Sequence, residues 1–325
     1  MLPVVIVHWN RPERCLGTVQ RFRSLPVPGG VRVVVVDNGS AAPALAVVRQ
    51  GLPDDVPLVA LPRNRGFGPG ANAGFRHVLE NPQNGDLPWI GLAPHDAEPA
   101  PDCLTRMLDA VGPRRRAGLA SADFGDGATP VVDPYFGGIL APARVGEGWE
   151  AAGHPHGTLM LAHGDLLREV GLFDERYFAY CEEADLALRA AAAGWETGLV
   201  RGAIVVNPDM ATRIAAVDYL QLRNTLLLVR EHFGRYRAFI RFCLAILQLV
   251  DGLARPSRRG PYFVARARAQ ALVDHARGRY GPPPRRYLDR ELRGRSAPPR
   301  RRGSPAGSER GTRPPPSSRR PRSGR

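Results

Sequence analysis

Three carboxylates stand within four positions, at Glu182, Glu183 and Asp185, directly after an aromatic run. The segment LALRAAAA that follows consists of strong helix formers, and Gly194 stands where a left-handed helix end is expected. The acids therefore fall in the first turn of a predicted helix, where the helix dipole favours their charged forms. Asp185 can pair with Arg189 four positions later, whereas Glu183 points elsewhere, towards the aromatic run. An ionised carboxylate beside an aromatic pocket suits a general base, but acids also begin helices without a catalytic role. On the residues alone, both interpretations stay open.

Polar residues also follow the first predicted strands. Residues 2–10 and 31–40 are continuous apolar runs rich in β-branched side chains, which is typical of strands buried on both faces, and a helix is predicted for residues 12–24 between them. This order predicts a βαβ unit, whose ligands bind at the carboxyl ends of the strands. Asp37 in VVVVDNGS is placed there to meet a ligand. The alternative is that the Asp-Asn-Gly-Ser segment only forms the turn before the next helix.

Two further segments carry candidate residues. The glycine-rich stretch PRNRGFGPGANAGFRHVL, at residues 62–79, leads into a helix, so its backbone N–H groups can approach a phosphate. Glycine spacing alone also fits an ordinary loop. Farther along, the short strand in WIGLAPHDAEP ends near Asp96 and Glu98. Carboxylates at a strand end suit Mg²⁺ or Mn²⁺ bound to a diphosphate, and a solvated turn is the alternative.

Taken together, these blocks resemble the family 2 glycosyltransferases. Residues 171–189 are similar to the family's pattern GxFDExFFxYxEDxDLxxR, residues 63–74 to its motif NxGFGxGxNxG, and VVDNGS to its nucleotide-sugar signature. The segment at 218–234 is similar to the family's YYxxRNxxLLxRKxFG. The resemblance covers residues 4–234 in discontinuous blocks that keep the family's order. It implies a GT-A fold, an α/β Rossmann-like domain whose mixed sheet is flanked by helices.

The resemblance also implies what individual residues do. It implies an inverting sugar transfer from a UDP- or dTDP-sugar, in which Glu183 removes the proton of the acceptor hydroxyl and Glu182 and Asp185 complete the catalytic acids. Asp96 and Glu98 would hold a Mg²⁺ or Mn²⁺ ion on the diphosphate. Asp37 would recognise the pyrimidine base, and Arg63 would neutralise the diphosphate. The residues implied in nucleotide-sugar binding are His8, Asn10, Asp37, Asn38, Arg63, Asn64, Gly66, Phe67, Gly68 and Asn72.

Three residues depart from the family's pattern near the chemistry. Glu183 stands where Asp is usual, Ala97 where an acid is common, and Asn207 where the family has a metal-binding His. These departures leave metal dependence open, and with it a rival function as a catalytically degenerate nucleotide-sugar-binding protein. Family members with this block order transfer rhamnose or galactofuranose to cell-envelope or polysaccharide acceptors. The implied acceptor is therefore a glycan or a lipid-linked saccharide.

Composition divides the 325 residues into three parts. The net charge is +14, and residues 285–325 hold 14 Arg against three acids, so +11 lies there and +3 in the rest of the chain. We predict a GT-A domain at 1–210, a helical extension at 211–280 and a disordered Arg/Pro-rich tail at 281–325. An apolar helix at 238–253 and the basic tail predict peripheral membrane contact.

Other classes of protein fit the sequence less well. No aromatic interleaving or RNA-binding pattern accompanies the basic tail, which argues against a nucleic-acid partner. The four cysteines are scattered without a CxxC pair, which fits a reducing compartment. Because no signal-peptide pattern is recognised, we expect a cytoplasmic protein at the inner face of the membrane.

Overall fold

A mixed β-sheet forms the centre of the protein in the computed structural model, which describes residues 1–81, 88–208 and 214–288. The strands are β1 Leu2–His8, β2 Val31–Asp37, β3 Leu58–Ala60, β4 Trp89–Pro94, β5 Glu98–Pro99, β6 Ala117–Asp123, β7 Ala128–Asp133, β8 Gly137–Pro142, β9 Gly148–Ala151, β10 Met160–His163 and β11 Glu196–Val206. The helices are α1 Pro12–Arg23, α2 Ala42–Gly51, α3 Phe67–Leu79, α4 Cys103–Val111, α5 Gly164–Val170, α6 Glu182–Ala192, α7 Ile214–Phe233, α8 Arg235–Ala254, α9 Ala265–Ala276 and α10 Arg285–Leu288.

The strand order in the main sheet is β3-β2-β1-β4-β10-β6-β11-β5, and β9 pairs with β11. Strands β3, β2, β1 and β4 are parallel, whereas β10 runs antiparallel to both of its neighbours. His8 lies opposite Asp37 in the register of β1 and β2. The carboxyl ends of these strands therefore meet at one edge, as the βαβ pattern predicts.

Both faces of the sheet are covered by helices, because the central strands are apolar on both sides. Val4 and Ile6 of β1 pack into the core that includes α1 and α4, and Val5 and Val7 pack into the core that includes α3, α5 and α6. All four side chains are at most 5% exposed. Burying each contributes roughly 1.5–3 kcal/mol. The predicted mixed α/β sheet flanked by helices is confirmed.

The C-terminal helices have a core of their own. Helices α7, α8 and α9 contribute to it, and Tyr287 of α10 is also buried there. The sequence analysis assigned residues 281–288 to the tail, yet Gly281 donates from its backbone to the Arg176 carbonyl oxygen at 2.7 Å. Residues 281–288 thus belong to the described fold, and residues 289–325 lie outside the described residues. The boundary at 210/211 stays a prediction.

The segment 123–148 is rich in Gly, Asp and Pro. It forms the antiparallel hairpin of β7 and β8. The buried Arg201 guanidinium ties this region to the sheet, because it pairs with Glu150 at 2.7 Å and with Asp123 at 3.1 Å and donates to the Thr129 hydroxyl. These contacts are distant in sequence, so the Gly- and Pro-rich composition of the segment does not reveal them.

Candidate functional site

A cavity of ≈ 700 Å³ lies where the end of β4, hairpin β7–β8, the start of α6 and helices α7 to α9 meet. Its lining includes Asp96 after β4, Asn207 after β11, and both Glu182 and Glu183 at the start of α6. Residue Phe67, from the glycine-rich segment, also lines it. Motifs far apart in the sequence therefore share one cavity.

The backbone immediately before α6 adopts a conformation that few side chains favour. Phe178, Tyr180 and Cys181 have φ values of 68°, 69° and 74°. Non-glycine residues in this left-handed region cost free energy and persist where surrounding contacts impose them. The buried Asn224 amide of α7 supplies such contacts by donating to the carbonyl oxygens of Tyr177, Ala179 and Tyr180 at 2.7–2.8 Å.

Arg223, next to Asn224, is also buried. Its guanidinium donates to the carbonyl oxygens of Tyr177 and Gly281, and it lies over the Tyr219 ring with 5.1 Å from the guanidinium carbon to the ring centroid. Both residues therefore brace the fold. Their contacts fix the loop that delivers the acids of α6 to the cavity.

Glu183 is the half-buried acid of the cavity. Its carboxylate lies directly over Gly157, where a larger residue would overlap it. Burial raises the pKa of Glu183 to about 7, and this outweighs the stabilising effect of the helix N-terminus. The helix N-terminus favours the charged form, as the sequence predicts, but burial has the larger and opposite effect on the pKa. The group instead changes charge near neutral pH.

Glu182 differs from Glu183 in being almost fully buried, at 1% exposure. Its Oε2 atom has no hydrogen-bond partner among the described residues. Burial, with the charge of Glu183 as a second cause, raises the pKa of Glu182 well above its usual value. Two adjacent carboxyls in one dry site do not readily ionise together. We therefore assign the proton to Glu182 and the titratable charge to Glu183.

Asp185 has a structural role in this arrangement, although the sequence analysis grouped it with the catalytic acids. Its carboxylate pairs with Arg189 at 2.9 Å, as predicted from their spacing, and with His232 at 2.8 Å. Hydrogen bonding to His232 and the charge of Arg189 lower the pKa of Asp185 against its burial. Arg189 in turn donates to the carbonyl oxygens of Val170 and Leu172. Asp185 therefore holds a loop and does not line the cavity.

The ends of β1 and β2 form a closed hydrogen-bonded group. Asp37 accepts from His8 at 2.9 Å and from the backbone of Ser40 at 3.0 Å, and both His8 and Asp37 are completely buried. The Nε2 atom of His8 accepts from the backbone of Arg11, which leaves Nδ1 to donate to Asp37. Asn10, at φ 52°, accepts from the backbone of Ala41. The structure brings these predicted donor-site residues together, and their polar atoms form hydrogen bonds within the group.

Asn38 and Asn64 fasten the glycine-rich segment to this edge. The Asn38 amide donates to the Gly66 carbonyl oxygen at 2.9 Å and accepts from the backbone of Arg65 at 3.0 Å. The Asn64 side chain accepts from Asn38 and from the backbone of Gly66. Arg63 is exposed beside them. Both amides therefore shape the loop that would meet a diphosphate.

Asn72 connects α3 with the acidic block. Its amide donates to the carbonyl oxygen of Phe173 and accepts from the backbone of the same residue, at 2.9 and 3.0 Å. Gly66, at φ 104°, lies against the backbone of Phe178, and a side chain there would overlap it. Gly68 packs against Glu182. Gly66 and Gly68 thus allow the glycine-rich segment to pack closely against the acidic block. The sequence analysis had related these glycines to phosphate binding.

The two predicted metal ligands lie in different surroundings. Asp96 faces the cavity, and its Oδ1 accepts from the Asn207 amide at 3.3 Å. Glu98 lies instead near the guanidinium groups of Arg14 and Arg21, at 3.5 and 3.7 Å. Across residues 1–81, 88–208 and 214–288, no cluster of three or more His, Cys, Asp or Glu side chains could hold a metal. The structure brings Asp96 together with Asn207. Glu98 instead lies beside the arginines of α1.

Two histidines, His154 and His156, also line the cavity. His154 and His156 stack edge to face with 6.5 Å between ring centroids, and Phe124 packs against His156 at 4.5 Å. Burial, and secondarily the charge of His154, lower the pKa of His156 to about 4. Both rings are therefore neutral near pH 7 and suit contacts with hydroxyl groups.

Comparison with known proteins shows what the chain is similar to. A family model described as glycosyl transferase family 2 matches residues 4–124. An N-acetylglucosaminyl-diphospho-decaprenol L-rhamnosyltransferase from Mycobacterium tuberculosis is 28% identical over 284 residues, or 75% of this chain and 89% of that protein. Residues 4–124 therefore match the glycosyl transferase family 2 model, and most of the chain is similar to a glycosyltransferase. The acids of α6 lie beyond the span of the family model, so their assignment depends on the cavity.

Solved structures of other glycosyltransferases share the fold. A mannosyltransferase from Pyrobaculum calidifontis, solved with GDP-Man and Mn²⁺, aligns with a TM-score of 0.55 at 15% identity and covers 86% of each chain. GalNAc-T7, solved with UDP, GalNAc and Mn²⁺, aligns with the same TM-score at 14% identity, over 85% of this chain and 54% of its own. The GT-A fold expected from the sequence is confirmed. None of the helices in the described ranges is long and apolar enough to cross a membrane.

Proposed function

We propose that this glycosyltransferase moves a sugar from a nucleotide diphosphate sugar to a lipid-linked saccharide, with inversion at the anomeric carbon. The observation that carries the proposal is the Glu183 carboxylate in the cavity, with a pKa of about 7. A general base is most effective when its pKa lies near the working pH. The relative from M. tuberculosis, whose name includes a diphospho-decaprenol, supports the acceptor class.

Glu183 acts as the base in a single displacement. The acceptor hydroxyl gives its proton to the Glu183 carboxylate while its oxygen forms a bond to C1 of the donor sugar. The bond from C1 to the diphosphate oxygen breaks, and the nucleoside diphosphate leaves with the electron pair. Attack opposite the leaving group inverts C1. Protonated Glu182 beside it places no second negative charge next to the base, so Glu183 can be ionised when the acceptor arrives.

The donor is proposed to bind at the edge formed by the ends of β1 and β2 and the glycine-rich segment. In the present arrangement Asp37 and His8 are buried and support this edge. Exposed Arg63 is the cation available to a diphosphate on the same edge. We assign base recognition to the half-buried residues Trp9 and Asn10, and Asp37 positions Asn10 through Ser40.

A divalent cation fits the cavity at Asp96 and Asn207. The Oδ1 atom of Asn207 is buried without a hydrogen-bond partner in the described chain, and the amide lies 3.3 Å from Asp96. One carboxylate and one amide oxygen, with diphosphate oxygens and water, make a donor set that Mg²⁺ or Mn²⁺ accepts. Such an ion would neutralise the charge of the leaving diphosphate. Glu98 is not part of this proposed set.

The outer face of α8 is proposed to contact the membrane that carries the acceptor. Its exposed apolar side chains recur at helical spacing, namely Tyr236, Phe239, Ile246, Leu247, Val250 and Leu253. An amphipathic helix of this kind lies in the interface of a bilayer without crossing it. The basic segment 289–325 would add attraction to anionic lipid.

The proposal is tested by transfer assays with UDP-, dTDP- and GDP-sugars and a synthetic acceptor, N-acetylglucosaminyl diphosphate on a short prenyl chain. We expect turnover of one donor, activation by Mg²⁺ or Mn²⁺, and an inverted anomeric configuration in the product by NMR. Binding of a donor without turnover on any acceptor would favour the rival function as a nucleotide-sugar-binding protein. A product with retained configuration would refute the displacement described above.

A further inference from the structure

The cavity also contains a buried arginine with an incomplete set of partners. Arg241 of α8 lines the cavity and is only 8% exposed. Its Nε atom has no hydrogen-bond partner among the described residues, and one of its terminal N–H groups donates to the Gln248 side chain at 3.4 Å. A buried guanidinium N–H is stabilised by an acceptor, so this Nε–H can donate to a bound anion.

The charges around Arg241 favour an anion. Arg268 of α9 also lines the cavity, but its guanidinium is neutralised by Asp218 at 2.9 Å. No acid is found within salt-bridge distance of Arg241 in the part of the chain that the structure describes. Burial and the nearby charge of Arg268 lower the pKa of Arg241 to about 10, which leaves it charged at pH 7. An uncompensated positive charge thus stands in the cavity.

The surroundings of this charge are apolar. The Phe136 ring lies over the guanidinium, with 5.6 Å from its centroid to the guanidinium carbon. Phe136, Ile139 and Leu140 of the hairpin line the same cavity and are 40–60% exposed. An anionic group bound by Arg241 could therefore continue into a hydrocarbon chain along this rim. A free inorganic anion would leave the apolar rim unused.

The geometry points to a phosphate-binding subsite at Arg241, where the diphosphate of a polyprenyl-linked acceptor binds while its sugar reaches Glu183. The identity of the acceptor rests on the proposed function, but the subsite itself does not. Arg241 lies on the inner face of α8 and the apolar stripe on the outer face of the same helix. One helix would therefore bind the acceptor's diphosphate and contact the membrane that holds its lipid.

A binding experiment tests the subsite without requiring turnover. Farnesyl diphosphate and farnesol are titrated into the full chain by calorimetry, with the donor site filled by saturating UDP or dTDP. We expect the wild-type protein to bind farnesyl diphosphate at least tenfold more tightly than farnesol. Arg241→Gln should remove this difference, and Arg241→Lys should retain part of it. Arg235→Gln, at an exposed position of the same helix, is the matched control and should bind like wild type.

The possible sources of phosphate are separated by competition. If UDP or dTDP displaces farnesyl diphosphate competitively, the anion binds in the donor site and the inference is overturned. Equal affinities of Arg241→Gln and Arg235→Gln would also overturn it. Arg241→Gln is expected to fold, because it removes an under-satisfied buried charge, and its melting temperature checks this.

Kinetics then connects the subsite with transfer. With the diphosphate-linked acceptor, Arg241→Gln should raise the acceptor KM roughly tenfold to a hundredfold and leave the donor KM unchanged. With a neutral alkyl glycoside of the same sugar, the two proteins should have the same KM. A wild-type protein that binds farnesyl diphosphate through Arg241 but transfers nothing would refute the proposed function and leave the subsite standing. If the wild-type protein transfers sugar and Arg241→Gln has an unchanged acceptor KM, the subsite is refuted and the proposed function stands.

Discussion

Replacing Glu183 by Gln should make the protein more stable and nearly inactive. Burial raises the pKa of this carboxyl from 4.5 to about 7, so its charged form is disfavoured in the folded state. At 1.36 kcal/mol per pKa unit, the folded protein loses about 3 kcal/mol of stability above pH 7 because Glu183 must ionise there. Gln has no charge and avoids this cost. Below pH 4.5 the stability of the two proteins should converge, since Glu183 is then protonated in both the folded and the unfolded state.

Activity should respond in the opposite direction. Loss of a general base lowers kcat by about 10²–10⁴-fold, or roughly 3–5 kcal/mol in the activation barrier. In the wild-type protein, kcat/KM should rise tenfold per pH unit up to about pH 7 and then level off, because only ionised Glu183 accepts the proton. The residual rate of Glu183→Gln should lack this rise.

Urea unfolding at pH 4.5 and pH 8, together with pH profiles of sugar transfer, would measure both effects. Glu183→Asp is the matched control, because it keeps the carboxylate and restores the residue usual in the family. It should keep a pH-dependent rate. The assignment of the base is refuted if Glu183→Gln retains near-normal turnover. The burial argument is refuted if this variant is no more stable than wild type at pH 8.

Five further substitutions separate structural from functional roles. Asp185→Asn should cost about 3–5 kcal/mol in the free energy of unfolding, measured in urea, because it breaks a buried ion pair; a stable but inactive variant would contradict this. Asn224→Ala should lower both the melting temperature and kcat, since three loop carbonyls lose their donor; an effect on melting alone would separate Asn224 from the site. Asp96→Ala should abolish stimulation by Mn²⁺ and Asn207→Asp should lower the Mn²⁺ concentration needed for half-maximal activity, whereas Glu98→Gln should change neither. Loss of Mn²⁺ stimulation in Glu98→Gln would return that residue to the metal site.

The features that the sequence predicted well depend on local pattern. The continuous apolar runs of β1 and β2 predicted strands buried on both faces, and the i,i+4 spacing predicted the pair of Asp185 and Arg189. The turn interpretation of Asp-Asn-Gly-Ser describes the observed hydrogen bonds of Asp37, although the residue also lies at the predicted edge. In each case the partner is close in sequence or set by strand register.

The features that escaped prediction depend on contacts between distant segments. Glu98 was paired with Asp96 from sequence proximity, and the structure places its carboxylate 3.5 and 3.7 Å from two arginines of α1. The ionisation of Glu183 was assigned from the helix terminus, whereas burial by the rest of the cavity sets its pKa. The signal for Arg241 was present as a charge that interrupts an apolar helix. Its role could be inferred only from the structure, because the sequence does not show that Arg241 lines the cavity.

The left-handed loop before α6 limits how this enzyme can be divided or recombined. The loop belongs by sequence to the sheet domain, but the side chain that holds it, Asn224, belongs to a helix of the C-terminal extension. A truncated chain that ends before α7 would keep its central sheet and lose control over where the acids point. A chimera that exchanges the C-terminal helices to obtain a new acceptor must therefore transfer residues 177–181 together with α7. The exchangeable unit in this protein is the loop with its helix, and a cut near residue 210 would separate them.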